Sequence, residues 1–136
     1  MAAKQNWSIN ILEPKLFIDD RGMLGEIDFR NLDFNPKRIY WVDFSRNLVR
    51  GKHAHKKLTQ VLVVLRGSIE IHLNDTIKVS KFVLKTGDNI LIKPGVWREF
   101  QSLLPESTCL VIASEYFDED DYIRDFEEYV RYRELL

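Results

Sequence analysis

Apolar and polar residues alternate along much of this chain with the period of two expected of half-buried strands. Ile69, Ile71 and Leu73 interleave with Glu70, His72 and Asn74, and Ile9-Asn10-Ile11 repeats the pattern near the start. Arg38 to Phe44 is rich in aromatic and β-branched residues, and Leu58 to Leu65 is largely aliphatic, as strands prefer. Leu24–Phe29, Ile77–Leu84, Asn89–Lys93, Trp97–Leu103 and Thr108–Ser114 read as further extended segments. Turn chemistry separates them at Asp19-Asp20-Arg21-Gly22, Arg66-Gly67-Ser68, Asn74-Asp75 and Lys85-Thr86-Gly87-Asp88. Many short strands with Gly and Pro at the joints predict an all-β sandwich or barrel.

The period changes in the tail. Tyr122, Phe126 and Val130 recur at helical spacing after Asp118-Glu119-Asp120-Asp121. Asp118 reads as an N-cap, the acids suit the positive end of a helix dipole, and Arg131 and Arg133 suit the other end. A short C-terminal α-helix opening at Asp118 is expected, with the acidic run serving helix initiation. Without internal repeats or a low-complexity linker, residues 1–136 read as one domain.

Composition narrows the function classes. The formal net charge is −1, which argues against a general nucleic-acid or membrane-surface binder. An anionic partner must therefore be held by a local cluster of cations. The one cysteine, Cys109, excludes an intrachain disulfide and sits in Thr108-Cys109-Leu110-Val111-Ile112, the pattern of a core thiol. Met1 to Trp7 carries no apolar stretch of the signal-peptide kind. The longest aliphatic run, Val61 to Leu65, is far too short to span a bilayer. A soluble, cytoplasmic protein is expected.

The chemistry concentrates in Arg50-Gly51-Lys52-His53-Ala54-His55-Lys56, which holds two of the three histidines. In a strand, residues two apart share a face, so His53 and His55 project side by side. Imidazole titrates near neutrality and can take a proton and return it. Arg50, Lys52 and Lys56 make the run attractive to an anion. His72, between Glu70 and Asn74, reads as a surface histidine.

His-x-His in an all-β chain prompts comparison with the cupins. Metal-binding cupins have a first motif that runs His-x-His, then Glu, then Gly, and a second that ends Pro-x-Gly-x-x-His. Here Gln60 stands where the acidic ligand would be, with Gly67 following, and after Gly87 and Pro94 an arginine, Arg98, takes the approximate place of the last histidine. Arginine cannot ligate a metal and repels one. His53 and His55 therefore read as free imidazoles lining a pocket, with a weak two-histidine metal site as the lesser alternative.

The resemblance becomes closer with Arg50-Gly51-x-His53-Ala54-His55-Lys56, Gln60, Leu65-x-Gly67-Ser68, Pro94-x-x-Trp97-x-x-Phe100 and Ser114-Glu115-Tyr116-Phe117-Asp118-Glu119-x-Asp121-Tyr122-Ile123-Arg124. Together these resemble the cupin sugar-nucleotide 3,4-ketoisomerases, the FdtA, QdtA and WxcM-like proteins, from about Leu16 to Arg131. The resemblance implies a jelly-roll β-barrel with a short C-terminal helix. It implies conversion of dTDP-4-keto-6-deoxy-D-glucose into a dTDP-3-keto-6-deoxyhexose without a metal or organic cofactor. It further implies a homodimer with exchanged N-terminal strands and a place in deoxy- and amino-sugar biosynthesis for surface polysaccharide. His53 is implied as the catalytic base, with His55 assisting.

Moving a carbonyl from C4 to C3 needs a proton taken from C3 and one delivered to C4, through an enediol or enediolate. His55, Lys56 and Arg98 are candidates to stabilise the developing oxygen charge. Arg50 and Arg21 are candidates for the diphosphate, Arg21 because its turn resembles the Asp-x-Arg-Gly motif of the dTDP-sugar epimerase cupins. Tyr40 and Trp41 can each offer a ring to thymine, but they point to opposite faces, so at least one belongs to the core. A dTDP-sugar epimerase, a non-catalytic sugar-nucleotide binding module and a metal-dependent oxygenase are the competing readings.

Overall fold

Alternation along the strands lets two sheets close over a shared apolar layer. The computed structural model describes residues 6–45 and 48–136. The expectation that Met1 to Trp7 carries no signal-peptide stretch falls mostly on residues outside that range. The first sheet has the order β1 (Trp7–Ile9), β9 (Asn89–Ile92), β6 (Gln60–Arg66), β11 (Ser107–Ala113) and β4 (Arg38–Phe44). The second has the order β12 (Tyr122–Ile123), β5 (Val49–His55), β10 (Trp97–Ser102), β7 (Ser68–Asn74) and β8 (Val79–Lys85). All these pairings are antiparallel. This is the expected jelly roll.

The inward-facing alternates form the core, with Leu62, Val64, Ile71, Leu73, Ile90 and Ile92 buried between the sheets. On the outer face of the first sheet, Leu12, Ile27, Leu32 and Phe34 cover Val61, Val63, Leu91 and Ile112. Helix α1 (Phe126–Glu134) covers part of the second sheet, packing Tyr129 against Ala54, Trp97 and Ile123. Gly67 turns the chain at φ +88°, and a Cβ there would lie 2.8 Å from Ser107 Cα, so no larger residue fits.

Two expectations are corrected. The helix opens at Phe126 rather than Asp118, because Asp125 supplies the cap, accepting from the Glu128 N–H. Asp118 caps only a 3-10 turn over Glu119–Asp121. Tyr122 and Ile123 are extended because they pair with His55 and Ala54 and bury opposite faces. The second correction is an unforeseen strand, β2 (Lys15–Asp19), which pairs with β3 (Gly22–Glu26) in a separate hairpin exposed along its whole length. Among the described residues no helix is long and apolar enough to cross a membrane.

Candidate active site

A bulge aims the histidine pair. In β5, Gly51 and Lys52 both adopt left-handed conformations, at φ +87° and +55°. The register with β10 shifts there: Gly51 faces Glu99, and His53, not Lys52, faces Arg98. The extra residue reverses which side chains point inward, so His53 shares a face with Arg98. Gly51 suits this turn because a Cβ would meet the Arg98 carbonyl oxygen and the Phe100 ring at 3.0 Å.

His53 and His55 then stand side by side, as their spacing requires, with ring centroids 4.8 Å apart and planes nearly perpendicular. Tyr122 packs on both rings, at 4.9 and 4.4 Å. Behind them, Asp121 is buried. Its Oδ2 lies 2.9 Å from His55 Nδ1, and its Oδ1 accepts the Lys57 backbone N–H at 2.6 Å. His53 Nδ1 and His55 Nε2 are buried without partners.

Burial and cations keep both imidazoles neutral. The His53 pKa is pushed down to about 4, first by burial and then by the Arg98 guanidinium. His55 is lowered further by the same two causes, followed by His53 itself. Arg98 is fully buried, donates from Nε and Nη2 to the Val96 carbonyl, and leaves Nη1 unpartnered. Burial lowers its own pKa to about 10, so it remains a cation at neutral pH.

His53 opens onto a cavity of about 650 Å³ between the sheets, a size suited to a small-molecule ligand. Of the residues singled out in the sequence, His53, Arg50 and Tyr40 line it, and Gln60 does too, 3.4 Å from the Tyr40 hydroxyl. His55 and Arg98 sit in the wall, out of solvent. Trp41 points away and is 67% exposed. Lys56 is exposed and outside the cavity lining. Arg21 lies at the tip of the β2–β3 hairpin, paired with Asp19, and does not reach the cavity of its own chain. His72 is on the surface, bonded to Glu70, and Cys109 is a buried thiol whose pKa burial raises to about 12.

Sequence reasoning missed Asp121, Tyr122, Arg38 and Arg124. Arg38 stacks on Tyr40 and Phe117, and its Nη2 is buried and unpartnered. Arg124 stacks 4.2 Å over Tyr122 and pairs with Glu119. Both line the cavity. Arg38 shares its strand face with Tyr40, two residues on, and Asp121, Tyr122 and Arg124 already belong to the aromatic-acidic tail motif, so both signals were present. Among the described residues no group of three or more His, Cys, Asp or Glu is disposed to hold a metal ion.

Comparison with known proteins agrees with this geometry. The family model for FdtA, WxcM-like, C-terminal, matches residues 7–134. A TDP-4-oxo-6-deoxy-alpha-D-glucose-3,4-oxoisomerase of Aneurinibacillus thermoaerophilus is 37% identical over 125 residues, 90% of each chain. A 3,4-ketoisomerase from Helicobacter canadensis superposes with a TM-score of 0.84 at 33% identity, covering 96% of this chain and 99% of that one. A variant of the 3,4-ketoisomerase QdtA from Thermoanaerobacterium thermosaccharolyticum, in complex with TDP-4-keto-6-deoxyglucose, gives 0.86 at 32% identity, covering 98% and 97%. The chain belongs to the FdtA family of WxcM-like C-terminal domains.

Proposed function

We propose that this protein is a sugar-nucleotide 3,4-ketoisomerase that moves the keto group of dTDP-4-keto-6-deoxy-D-glucose from C4 to C3. The observation that carries the reading is a neutral imidazole pair, backed by a buried guanidinium, at the wall of an arginine-lined cavity. His53 takes the proton from C3, which the adjacent ketone acidifies, and the enediolate forms. The same imidazole, now protonated, delivers hydrogen to C4. The proton leaving the O3 hydroxyl is returned to O4, which begins as the ketone oxygen and ends as a hydroxyl while C3–O3 becomes the new carbonyl, so the product is an isomer and no external oxidant or reductant enters. Arg98 offers a fixed positive charge to the enediolate. Arg38, Arg50 and Arg124 receive the diphosphate, and Tyr40 offers its ring within the same cavity.

The hairpin supports a dimer. Phe17, Ile18 and Leu24 on β2 and β3 are 59%, 75% and 61% exposed, and apolar strands of this kind mark interaction surfaces. A second copy of the chain is the proposed cover, with exchanged hairpins carrying Arg21 toward the partner's cavity.

Incubation with dTDP-4-keto-6-deoxyglucose and NMR of the product tests the reading. The expected result is a 3-keto sugar from the wild type, and none from His53→Asn, which still binds TDP. Deuterium entering C5 points instead to an epimerase. Ligand binding without turnover points to a binding module.

A further inference from the structure

Asp121 is one of the few buried charged groups, and neither the histidine pattern nor the cavity lining accounts for it. A carboxylate only accepts hydrogen bonds. Its Oδ1 is taken by the Lys57 N–H, so Oδ2, 2.9 Å from His55 Nδ1, must accept from an Nδ1–H. That places the His55 lone pair on Nε2, an atom that is buried and has no partner. The other orphaned ring nitrogen is His53 Nδ1, in the neighbouring ring 4.8 Å away. Two bare lone pairs on neighbouring rings in surroundings of low dielectric repel, and the Gly51 backbone beside the His53 ring also favours a ring N–H. The complementary state has hydrogen on His53 Nδ1, and its Nε2 then carries the lone pair for the substrate.

We propose that Asp121 is a positioning residue that fixes the hydrogen of His55 on Nδ1 and thereby selects the His53 tautomer whose Nε2 is the base. The inference rests on the ketoisomerase reading for its kinetic consequence but not for its tautomers. The burial of both rings supports it, because neutral imidazoles have tautomers to choose between.

Asp121→Asn separates positioning from tethering. The amide oxygen still accepts from Lys57 N–H, and the Lys56 N–H still reaches the Asp121 backbone carbonyl, so the tail stays attached. The amide nitrogen then faces His55 Nδ1 and donates, which reverses the ring's tautomer. Long-range 1H–15N spectra of the imidazoles, with TDP-bound protein, read this directly. The wild type is expected to show both rings protonated on Nδ1, and Asp121→Asn to show His55 protonated on Nε2. The variant's kcat should fall roughly 100-fold or more, with KM within about threefold of wild type. Wild-type His55 protonated on Nε2 overturns the proposal without any variant, which decides the matter if Asp121→Asn does not fold. A variant ring that keeps its hydrogen on Nδ1, or a reversed ring with kcat within about threefold of wild type, also overturns it. A wild type that turns over no keto-sugar defeats the ketoisomerase reading instead, and leaves the tautomer result standing.

Discussion

The low pKa of His53 has a consequence that a pH profile reads directly. In the free enzyme, burial and Arg98 hold this imidazole down to about 4. Against an ordinary histidine value of about 6.5, the neutral, basic fraction at about pH 5.5 is then roughly 97% rather than roughly 9%. Because kcat/KM reports the free enzyme, it should be nearly level between about pH 7.5 and 5.5. The kcat limb should lie at higher pH, because a bound diphosphate offsets Arg124, which also lowers the His53 pKa. Folding carries the same signature. Since the folded-state pKa is below the unfolded one, the unfolded chain binds more protons between these values. The stability is complete above about pH 6.5 and is lost as pH falls toward about 4, at up to about 1.4 kcal/mol per unit, or roughly 3 kcal/mol in all for His53 alone. Urea unfolding at several pH values measures the slope, and product NMR measures the rate. A tenfold fall in kcat/KM between about pH 7.5 and 5.5, in protein whose near-ultraviolet dichroism is unchanged, would refute the argument.

Other substitutions test separate parts of the site. Gly51→Ala forces a left-handed alanine against the Arg98 carbonyl and Phe100. It should cost about 2 kcal/mol or more in urea unfolding and lower kcat by moving His53. Arg38→Ala should weaken TDP binding about tenfold or more by calorimetry, about 1.4 kcal/mol, because its Nη2 is a buried unpartnered donor on a residue that lines the cavity. Asp125→Ala removes the cap of α1 and should cost about 1 kcal/mol of stability. If a second copy of the chain covers the exposed hairpin, Phe17→Ser with Leu24→Ser should give a smaller mass in light scattering than the wild type, and an unchanged mass would remove the hairpin from any interface.

How much of this was legible depended on how far each interaction reaches along the chain. His53 and His55 could be paired from sequence because their proximity is a matter of strand period alone, and Tyr40 and Trp41 could be sent to opposite faces for the same reason. Which face the histidines take could not be read that way. It is decided by the left-handed pair at Gly51 and Lys52, and only the glycine hints at it. Arg98 was recognised as a cation where a metal ligand was expected, but its full burial, which makes it lower the pKa of both imidazoles, follows from its cross-strand place opposite His53. Asp121 was the hardest to see. It stands 66 residues from His55, inside an acidic run whose local pattern imitates a helix start. What separates it from Asp118 and Asp120 is that β12 pairs with the end of β5, which draws one carboxylate of the run inward and leaves the others in solvent. Local chemistry thus pointed to the histidine pair, while a non-local strand pairing supplied the carboxylate that meets one of its rings.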